Sequence, residues 1–376
     1  MAIDRAEVLV VGPETKRYTW SHDLPEQFQS NSLLRLFTDD GLEGLGAVWN
    51  AASYDYDRYT AQSLRHLLPM LIGRDPLDRE SLLHDLRPRV WPCPPGGLAM
   101  IDIALWDMAA RMERRPLYQL LGGARSSIRA YASTPMYATV DEYLAISESL
   151  LEQGFSAIKY HTWCIPDDDL ALARAARKRF PDVDLMLDAE NNYDLAGAKR
   201  VAEELADLGF RWFEAPLPDS DLKGYRHLTA ASGIPIVPSG NWVRDLTLFD
   251  ECVTTRAWSA SRTDVVILDG ITPAHEAMEI AARAGLTCEL MSWGYTLNSA
   301  VNLHLMLGHG NCSYYEQPLP YDLFEYGMQE VIRTGSDGLV HAPTGDGLGL
   351  AVDWPAMESK SVLKLTCGRH GVRESS

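Results

Sequence analysis

Short apolar runs alternate with longer segments of helical spacing through the middle of the chain. Eight such runs occur, and they are Ile128 to Tyr131, Ala157 to Tyr160, Leu185 to Asp188, Trp212 to Glu214, Ile236 to Pro238, Val265 to Asp269, Thr287 to Met291, and Tyr314 to Glu316. Each short apolar run predicts a buried strand, and the segment that follows it predicts a helix. Eight such units are typical of a (β/α)8 barrel or a close variant with one atypical unit. An open doubly wound sheet would alternate in the same way, but no GxGxxG motif follows a first strand to indicate a dinucleotide site.

The chain on either side of this region has a different pattern. Residues 1 to about 50 alternate like an antiparallel meander, and residues 57 to 125 have helical spacing. After about residue 325 the alternation stops, and a loop-rich tail follows. We therefore predict an α+β domain over residues 1–125, a barrel over residues 126–325, and a C-terminal segment, 326–376, that packs back on the first domain.

A long polar stretch, Pro13 to Ser30, interrupts the predicted meander. A loop of that length in a compact domain is often a lid over a binding site. It carries Arg17, Trp20 and His22, which are candidate substrate-binding residues.

Two of the predicted barrel strands end in a carboxylate. Asp188 and Glu214 close consecutive strands that a helical segment separates. Because such strands are parallel neighbours, both acids emerge at the same edge. Paired carboxylates at that edge suit a hard divalent cation such as Mg²⁺. Barrel enzymes place their chemistry at this end, and the polar residues found there are Lys159, His161, Asp188, Glu214, Asn241, Asp269 and Glu316.

Composition and charge exclude several classes of partner. The chain has 376 residues and a formal net charge of -18, which disfavours binding to nucleic acids and to anionic membranes. Its six cysteines form no CxxC pair and indicate a reducing compartment. With no apolar run near the ~20 residues of a membrane span and no signal-peptide pattern, we expect a cytoplasmic protein.

These motifs, in this order, resemble the mandelate racemase subgroup of the enolase superfamily. The first domain carries Ala104-Leu105-Trp106-Asp107 and Leu120-Leu121-Gly122-Gly123, which are typical of the family's capping domain. The segment Lys159-Tyr160-His161 is similar to the K-x-K or K-x-H motif of the second barrel strand. Asp188 and Glu214 match two metal ligands, Asp269 the aspartate of a His–Asp dyad, and Glu316 the acid of the eighth strand. The resemblance implies a capped barrel, a bound Mg²⁺, a small-molecule carboxylate substrate and a homo-oligomer, either a dimer or an octamer.

The chain departs from the family pattern at two positions. Gly240 stands where the resemblance implies the third metal-ligating Glu, so Glu190 or Asn241 would have to supply the missing oxygen. Met291 stands where the dyad histidine is implied, which leaves Asp269 without its usual partner.

The candidate catalytic pair is Lys159 and His161. Residues two apart on a strand face the same side, so both side chains can point at the α-carbon of a substrate. A neutral His161 is a plausible base near pH 7, and a charged Lys159 would neutralise the substrate carboxylate. Asp269 and Glu316 are further catalytic candidates, through a substrate hydroxyl or the carboxylate. For Glu316 and Lys159, buried ion pairs are the alternative interpretation.

The resemblance implies a lyase that dehydrates a sugar acid. A base removes the proton next to the carboxylate, the metal stabilises the enediolate, and the β-hydroxyl leaves to give a 2-keto-3-deoxy acid. Because one base set suits elimination and a racemase needs a base on each face, we rank racemase, epimerase or cycloisomerase activity second. The third hypothesis is a barrel that has lost the full metal site, and that either has altered catalytic activity or only binds a ligand.

Overall fold

The structure is a computed structural model that describes residues 1–21, 30–49, 54–91, 93, 96–292, 294 and 296–375, with only the backbone given for 54–56. Of the residues singled out above, His22 lies outside the described ranges. The strands are β1 Ile3–Val11, β2 Asn31–Thr38, β3 Glu43–Val48, β4 Ser127–Thr134, β5 Ala157–His161, β6 Asp184–Asp188, β7 Trp212–Glu214, β8 Ile236–Val237, β9 Ser261–Thr263, β10 Cys288–Leu290, β11 Tyr315–Pro318, β12 Leu339–His341, β13 Ser361–Gly368 and β14 Gly371–Ser375. The helices are α1 Tyr54–Ser63, α2 Arg79–Val90, α3 Gly97–Met112, α4 Leu117–Leu120, α5 Val140–Glu152, α6 Pro166–Arg179, α7 Leu195–Asp207, α8 Leu222–Ala231, α9 Leu246–Thr254, α10 Ile271–Arg283, α11 Thr296–Gly308 and α12 Trp354–Ser359.

The first and last parts of the chain form one antiparallel sheet. Its strand order is β14-β13-β1-β2-β3, so that the C-terminal hairpin pairs with the first strand of the chain. Helix α3 packs on β3, where a Cβ atom at Gly46 would stand only 2.0 Å from the carbonyl oxygen of Met100. Glycine at this position therefore allows α3 to pack closely against β3.

The buried carboxylate of Asp107 connects three segments of the protein. It accepts hydrogen bonds from the backbone N–H of Leu45 at 2.8 Å, from that of Leu348 at 2.7 Å, and from Arg111 Nε at 2.7 Å. Because β3, α3 and the tail meet at one side chain, Asp107 ties the C-terminal segment to the first domain.

We expect Asp107→Ala to destabilise the protein by about 2–6 kcal/mol, because two buried N–H groups lose their acceptor and each unsatisfied group costs about 1–3 kcal/mol. Urea unfolding followed by circular dichroism measures this change. The matched control is Asp346→Ala, at an exposed position of the same tail. Equal unfolding free energies for the two variants would contradict the assigned role of Asp107.

Eight parallel strands, β4 to β11, make up the barrel. Six of them are hydrogen-bonded neighbours in the order β11-β4-β5-β6-β7-β8, and β9 pairs with β10. Below the mouth, the interior is filled by a cluster of buried side chains: Tyr131, Ala157, Met186, Trp212, Val237, Ala260 and Tyr314. This layer closes the barrel beneath the polar strand ends. None of the described helices is both long enough and apolar enough to span a membrane.

The predicted sixth strand, Val265 to Asp269, is wrong. The strand is Ser261–Thr263, and residues 265–269 form a turn in which Asp269 has a φ of +62°. The carboxylate of Asp264 accepts a hydrogen bond from the N–H of Val266 at 2.5 Å, which stabilises the turn directly after the strand. The residue that follows the sixth strand is therefore Asp264, and Asp269 lies five residues further on.

Candidate active site

Lys159 on β5 is the centre of a buried ionic cluster at the barrel mouth. Its Nζ lies 3.0 Å from Asp188 Oδ2, 2.6 Å from Glu214 Oε1 and 2.9 Å from Glu316 Oε1. The Lys159 side chain is 1% exposed. Burial alone would lower the Lys159 pKa, but the neighbouring carboxylates, led by Glu214 and Glu316, raise it well above its ordinary value. Lys159 is therefore a fixed positive charge.

Arg262 on β9 is a second buried cation in the same cluster, and it was not predicted from the sequence. Its Nη2 lies 3.1 Å from Glu214 Oε1 and 2.7 Å from Glu316 Oε2. The sixth strand was assigned to the apolar run 265–268 and not to the short polar sequence Ser261-Arg262-Thr263. A barrel strand that carries an arginine between two hydroxyl residues has no apolar alternation to reveal it.

Arg262 fills the space beside Gly240, where the resemblance implied a metal-ligating Glu. A Cβ atom built on Gly240 would stand 3.1 Å from Arg262 Cγ and 2.9 Å from the Arg262 carbonyl oxygen. Asp219 holds the end of β8 in this arrangement by accepting hydrogen bonds from the N–H of Ser239 at 2.9 Å and of Gly240 at 3.0 Å. Gly240 has a φ of +80°, a left-handed conformation that disfavours a side chain. A third carboxylate at this position would thus be strained and would collide with Arg262.

His161 lies at the other end of the cluster and is fully buried. Its Nδ1 is 2.7 Å from the carbonyl oxygen of Thr134, so Nδ1 carries a proton and donates it. Its Nε2 is 3.2 Å from Asp188 Oδ2 and 3.2 Å from Glu190 Oε1. Burial lowers the His161 pKa, but the Asp188 carboxylate outweighs it, and the pKa rises to about 9. The prediction of a neutral His161 at pH 7 is therefore wrong for the resting protein, because the flanking carboxylates favour the imidazolium.

The three central carboxylates differ in their proton affinity. Burial raises the Glu316 pKa, but Lys159 and Arg262 more than offset this and lower it to about 2. Glu214 contacts the same two cations, yet burial together with the nearby Asp188 raises its pKa to about 7. Burial likewise opposes ionisation of Asp188, but Lys159 and His161 lower its pKa well below the ordinary value. Glu316 is consequently an ionised partner of two cations, as in the ion-pair interpretation.

Within the described part of the chain, the side chains that could hold a divalent ion are His161, Asp188 and Glu190, whose ligand atoms lie within 4.8 Å of one another. Glu214 is already engaged, since Trp212 Nε1 donates to its Oε2 at 3.0 Å and the two cations contact its Oε1. Two like unit charges 4 Å apart repel by about 4 kcal/mol at an effective dielectric constant of 20, so Lys159 and Arg262 oppose a dication here. The donor set therefore does not fit the three-carboxylate magnesium site that the resemblance implied.

The described residues at the ends of β9 and β10 include no histidine or lysine. Met291, where the dyad histidine was implied, is buried and apolar. Asp264, which follows β9, accepts a hydrogen bond from Asn302 Nδ2 at 2.7 Å, and burial raises its pKa to about 6. Asp269 lies apart from the cluster: burial raises its pKa, and the groups that oppose this shift are the backbone of Gly96 and the side chains of Arg244 and Arg87.

Part of the Pro13–Ser30 loop covers the barrel mouth. The N–H of Met136, after β4, donates to the carbonyl oxygen of Thr19 at 3.0 Å, and Asn192 Nδ2, after β6, donates to Ser21 Oγ at 3.4 Å. Trp20 is 1% exposed and packs on Leu323 and Phe324, after β11. Residues 19–21 thus contact the loops that follow three barrel strands.

The structure brings together six of the predicted site residues: Lys159, His161, Asp188, Glu190, Glu214 and Glu316. It does not bring in Asn241 or Arg17, whose side chains are exposed. The exposure of Asn241 removes it as the replacement third ligand, because a ligand must face the buried carboxylates. Trp20 is close to the mouth as part of the covering segment.

Comparisons with known proteins agree with this architecture. Residues 7–122 match the mandelate racemase / muconate lactonizing enzyme N-terminal domain, and residues 142–356 match the enolase C-terminal domain-like family. The chain is 28% identical over 342 residues to N-succinylamino acid racemase from Thermus thermophilus, covering 87% of this chain and 88% of the relative.

Two solved structures share the fold over nearly the whole chain. A candidate mandelate racemase/muconate lactonizing enzyme from Pseudovibrio sp. is 38% identical with a TM-score of 0.93, covering 98% of this chain and 99% of that one. D-glucarate dehydratase from Agrobacterium tumefaciens, complexed with magnesium, is 30% identical with a TM-score of 0.85, covering 96% and 99%. The chain therefore belongs to the enolase superfamily, within its mandelate racemase/muconate lactonizing enzyme group, and has the capped (β/α)8 barrel of that family. Relatives in this family include racemases, epimerases, cycloisomerases and dehydratases.

Proposed function

We propose that this protein is a lyase that removes water from a hydroxylated carboxylate such as a sugar acid. The observation that carries the proposal is the one-sided distribution of proton-transfer groups. Lys159 and His161 both lie on β5, the second strand of the barrel, whereas Met291 directly follows β10, the seventh. Elimination can proceed with one group that takes a proton and gives it back, whereas inversion at carbon needs a second group on the other face.

In the proposed reaction His161 Nε2 takes the proton from the carbon next to the carboxylate. The electron pair left on that carbon forms the new double bond as the β-hydroxyl leaves, and the same nitrogen returns its proton to that hydroxyl as water. The enol product then tautomerises to a 2-keto-3-deoxy acid. The hydrogen bond from Nδ1 to the Thr134 carbonyl fixes the ring and leaves Nε2 as the nitrogen that exchanges the proton.

Lys159 and Glu316 position the charges around the reaction. Lys159 supplies a permanent positive charge in a water-excluded site, which stabilises the negative charge that develops on the substrate carboxylate. Glu316 accepts from Ser133 Oγ at 3.0 Å as well as from Lys159 and Arg262, and so fixes both cations. No step is assigned to Mg²⁺, because the donor set does not fit it.

The similarity to D-glucarate dehydratase supports a sugar acid as the substrate class. The relationship to N-succinylamino acid racemase keeps the racemase alternative, which would need a second proton-transfer group opposite His161. Formation of a 2-keto acid distinguishes the two reactions.

The experiment that tests the proposal is a screen of aldonates and aldarates for 2-keto acid release, detected with semicarbazide. We expect at least one member of the panel to be dehydrated. Inversion of a panel member without keto acid release would contradict the proposal and favour an epimerase.

The rate of the proposed reaction should increase with pH. His161 must start without a proton on Nε2, and its pKa is raised to about 9, so the active fraction is small at pH 7 and grows towards pH 9. We expect kcat/KM to rise about tenfold for each pH unit between pH 6 and 8 and to level off near pH 9. A profile that is flat between pH 6 and 9 would contradict His161 as the base.

A further inference from the structure

Arg262 is buried with part of its hydrogen-bonding capacity unused. Its side chain is 2% exposed, and Nη2 binds Glu214 and Glu316. Within the described residues, neither Nε nor Nη1 has a hydrogen-bond partner. A guanidinium carries five N–H donors, of which these two nitrogens hold three. Leaving buried donors unpaired is costly, so unused donors at a barrel mouth indicate a group that binds there.

Arg262 is connected to His161 through a series of ion pairs. Glu214 contacts both Arg262 and Lys159, and Asp188 contacts both Lys159 and His161. Arg262 and His161 therefore stand at opposite ends of one ionic chain. A substrate that has its carboxylate at Arg262 can direct the neighbouring carbon across the mouth towards His161.

We propose that Arg262 binds the substrate carboxylate through Nη1 and replaces the magnesium ion that the resemblance implies. Arg262 packs directly against Gly240, through its backbone and its Cγ, so the residue that leaves no room for a third metal ligand also supplies a positive charge. Guanidinium groups bind carboxylates with directed, charge-assisted hydrogen bonds and never lose their charge at physiological pH. This inference rests on the proposed function only for the class of substrate, a carboxylate.

The first test measures metal binding to the purified full-length protein. Mn²⁺, which electron paramagnetic resonance detects, is titrated into wild-type protein after EDTA treatment and dialysis. We expect no saturable binding below 5 mM, and Arg262→Gln, which removes the charge, should bind Mn²⁺ at least tenfold more tightly. Saturable binding to wild-type protein in the micromolar range would overturn the inference. The wild-type measurement decides the matter even where the variant fails to fold.

The second test measures carboxylate binding in the presence of EDTA. Oxalate, malonate and galactarate are compared with the uncharged polyol galactitol by their effect on the thermal midpoint. We expect at least one carboxylate, and not galactitol, to stabilise wild-type protein. Arg262→Gln should weaken that binding at least a hundredfold, with Arg262→Lys in between because lysine keeps the charge but loses the directed donors.

The control variant is Arg283→Gln, at an exposed position on α10 that should leave carboxylate binding unchanged. Equal binding by wild type and Arg262→Gln, or no stabilisation by any of the three carboxylates, would overturn the inference. Both tests are independent of turnover. A protein that binds carboxylates at Arg262 but releases no keto acid would disprove the proposed reaction and leave this assignment intact.

Discussion

Replacing His161 by Asn should lower kcat by about 10²- to 10⁴-fold, the range that a positioned acid–base group contributes. Asn can keep the hydrogen bond to the Thr134 carbonyl that His161 Nδ1 makes, but it has no nitrogen that can take and return a proton. The substitution removes the positive charge that His161 holds between Asp188 and Glu190, so circular dichroism must first show that the variant is folded. Steady-state kinetics on the substrate found by the keto acid screen measure the loss.

The matched control for His161→Asn is His341→Asn. His341 is an exposed histidine at the end of β12, where it contacts Asp337. Its replacement should leave kcat unchanged. Full activity of His161→Asn would show that another group moves the proton. A loss that appears in KM with kcat intact would assign His161 to binding instead.

Replacing Lys159 by Met should destabilise the protein by about 3–5 kcal/mol, the cost of removing one partner from a buried ion pair. Lys159 contacts three carboxylates that are between 0% and 4% exposed, and Arg262 reaches only two of them. The negative charges left behind repel one another and lack hydration. Urea unfolding at pH 7.5, compared with wild type, measures the change.

The same substitution should be less harmful at lower pH. Without Lys159 the pKa values of the buried carboxylates rise above those of the unfolded chain, so the folded variant binds more protons than the unfolded one as the pH falls. The difference in unfolding free energy between wild type and Lys159→Met should therefore become smaller as the pH falls from 7.5 to 5.5. Lys178→Met, at an exposed position near the end of α6, is the control and should stay within about 0.5 kcal/mol of wild type at both pH values. A loss of unfolding free energy below about 1 kcal/mol for Lys159→Met at pH 7.5 would show that Lys159 does not balance the charge of the three carboxylates.

Much of the barrel could be predicted because buried parallel strands are continuous apolar runs with a polar residue at the end. This pattern located β6 and β7, and with them the convergence of Asp188 and Glu214. It also placed Lys159 and His161 on the same side of β5, since the side-chain period of a strand is two. Both properties are local to the chain.

The sixth strand could not be predicted in the same way. An apolar run indicates burial and not conformation, and residues 265–268 are apolar because they form a turn that is largely buried. The true strand, 261–263, is polar because Arg262 serves the ionic cluster. Because the strand was misassigned, Asp269 and not Asp264 was identified as the aspartate at its end, and Arg262 was missed.

The electrostatics of the site also lie beyond sequence patterns. The sequence shows that Gly240 lacks a carboxylate, but only the tertiary structure shows that Arg262, 22 positions later, occupies the adjacent space. Likewise, the charge on His161 depends on Asp188 and Glu190, which approach it only in the folded barrel. Pairings across strands and loops determine pKa values, and they follow from geometry that residue types alone do not specify.

The most direct test of the central claim, a one-sided elimination at His161, is proton NMR of the reaction in D₂O with the substrate identified by the screen. We predict a 2-keto-3-deoxy acid with deuterium at C3, formed without any epimer of the substrate. Accumulation of the substrate's epimer, with deuterium at the carbon next to the carboxylate and no keto acid, would contradict it.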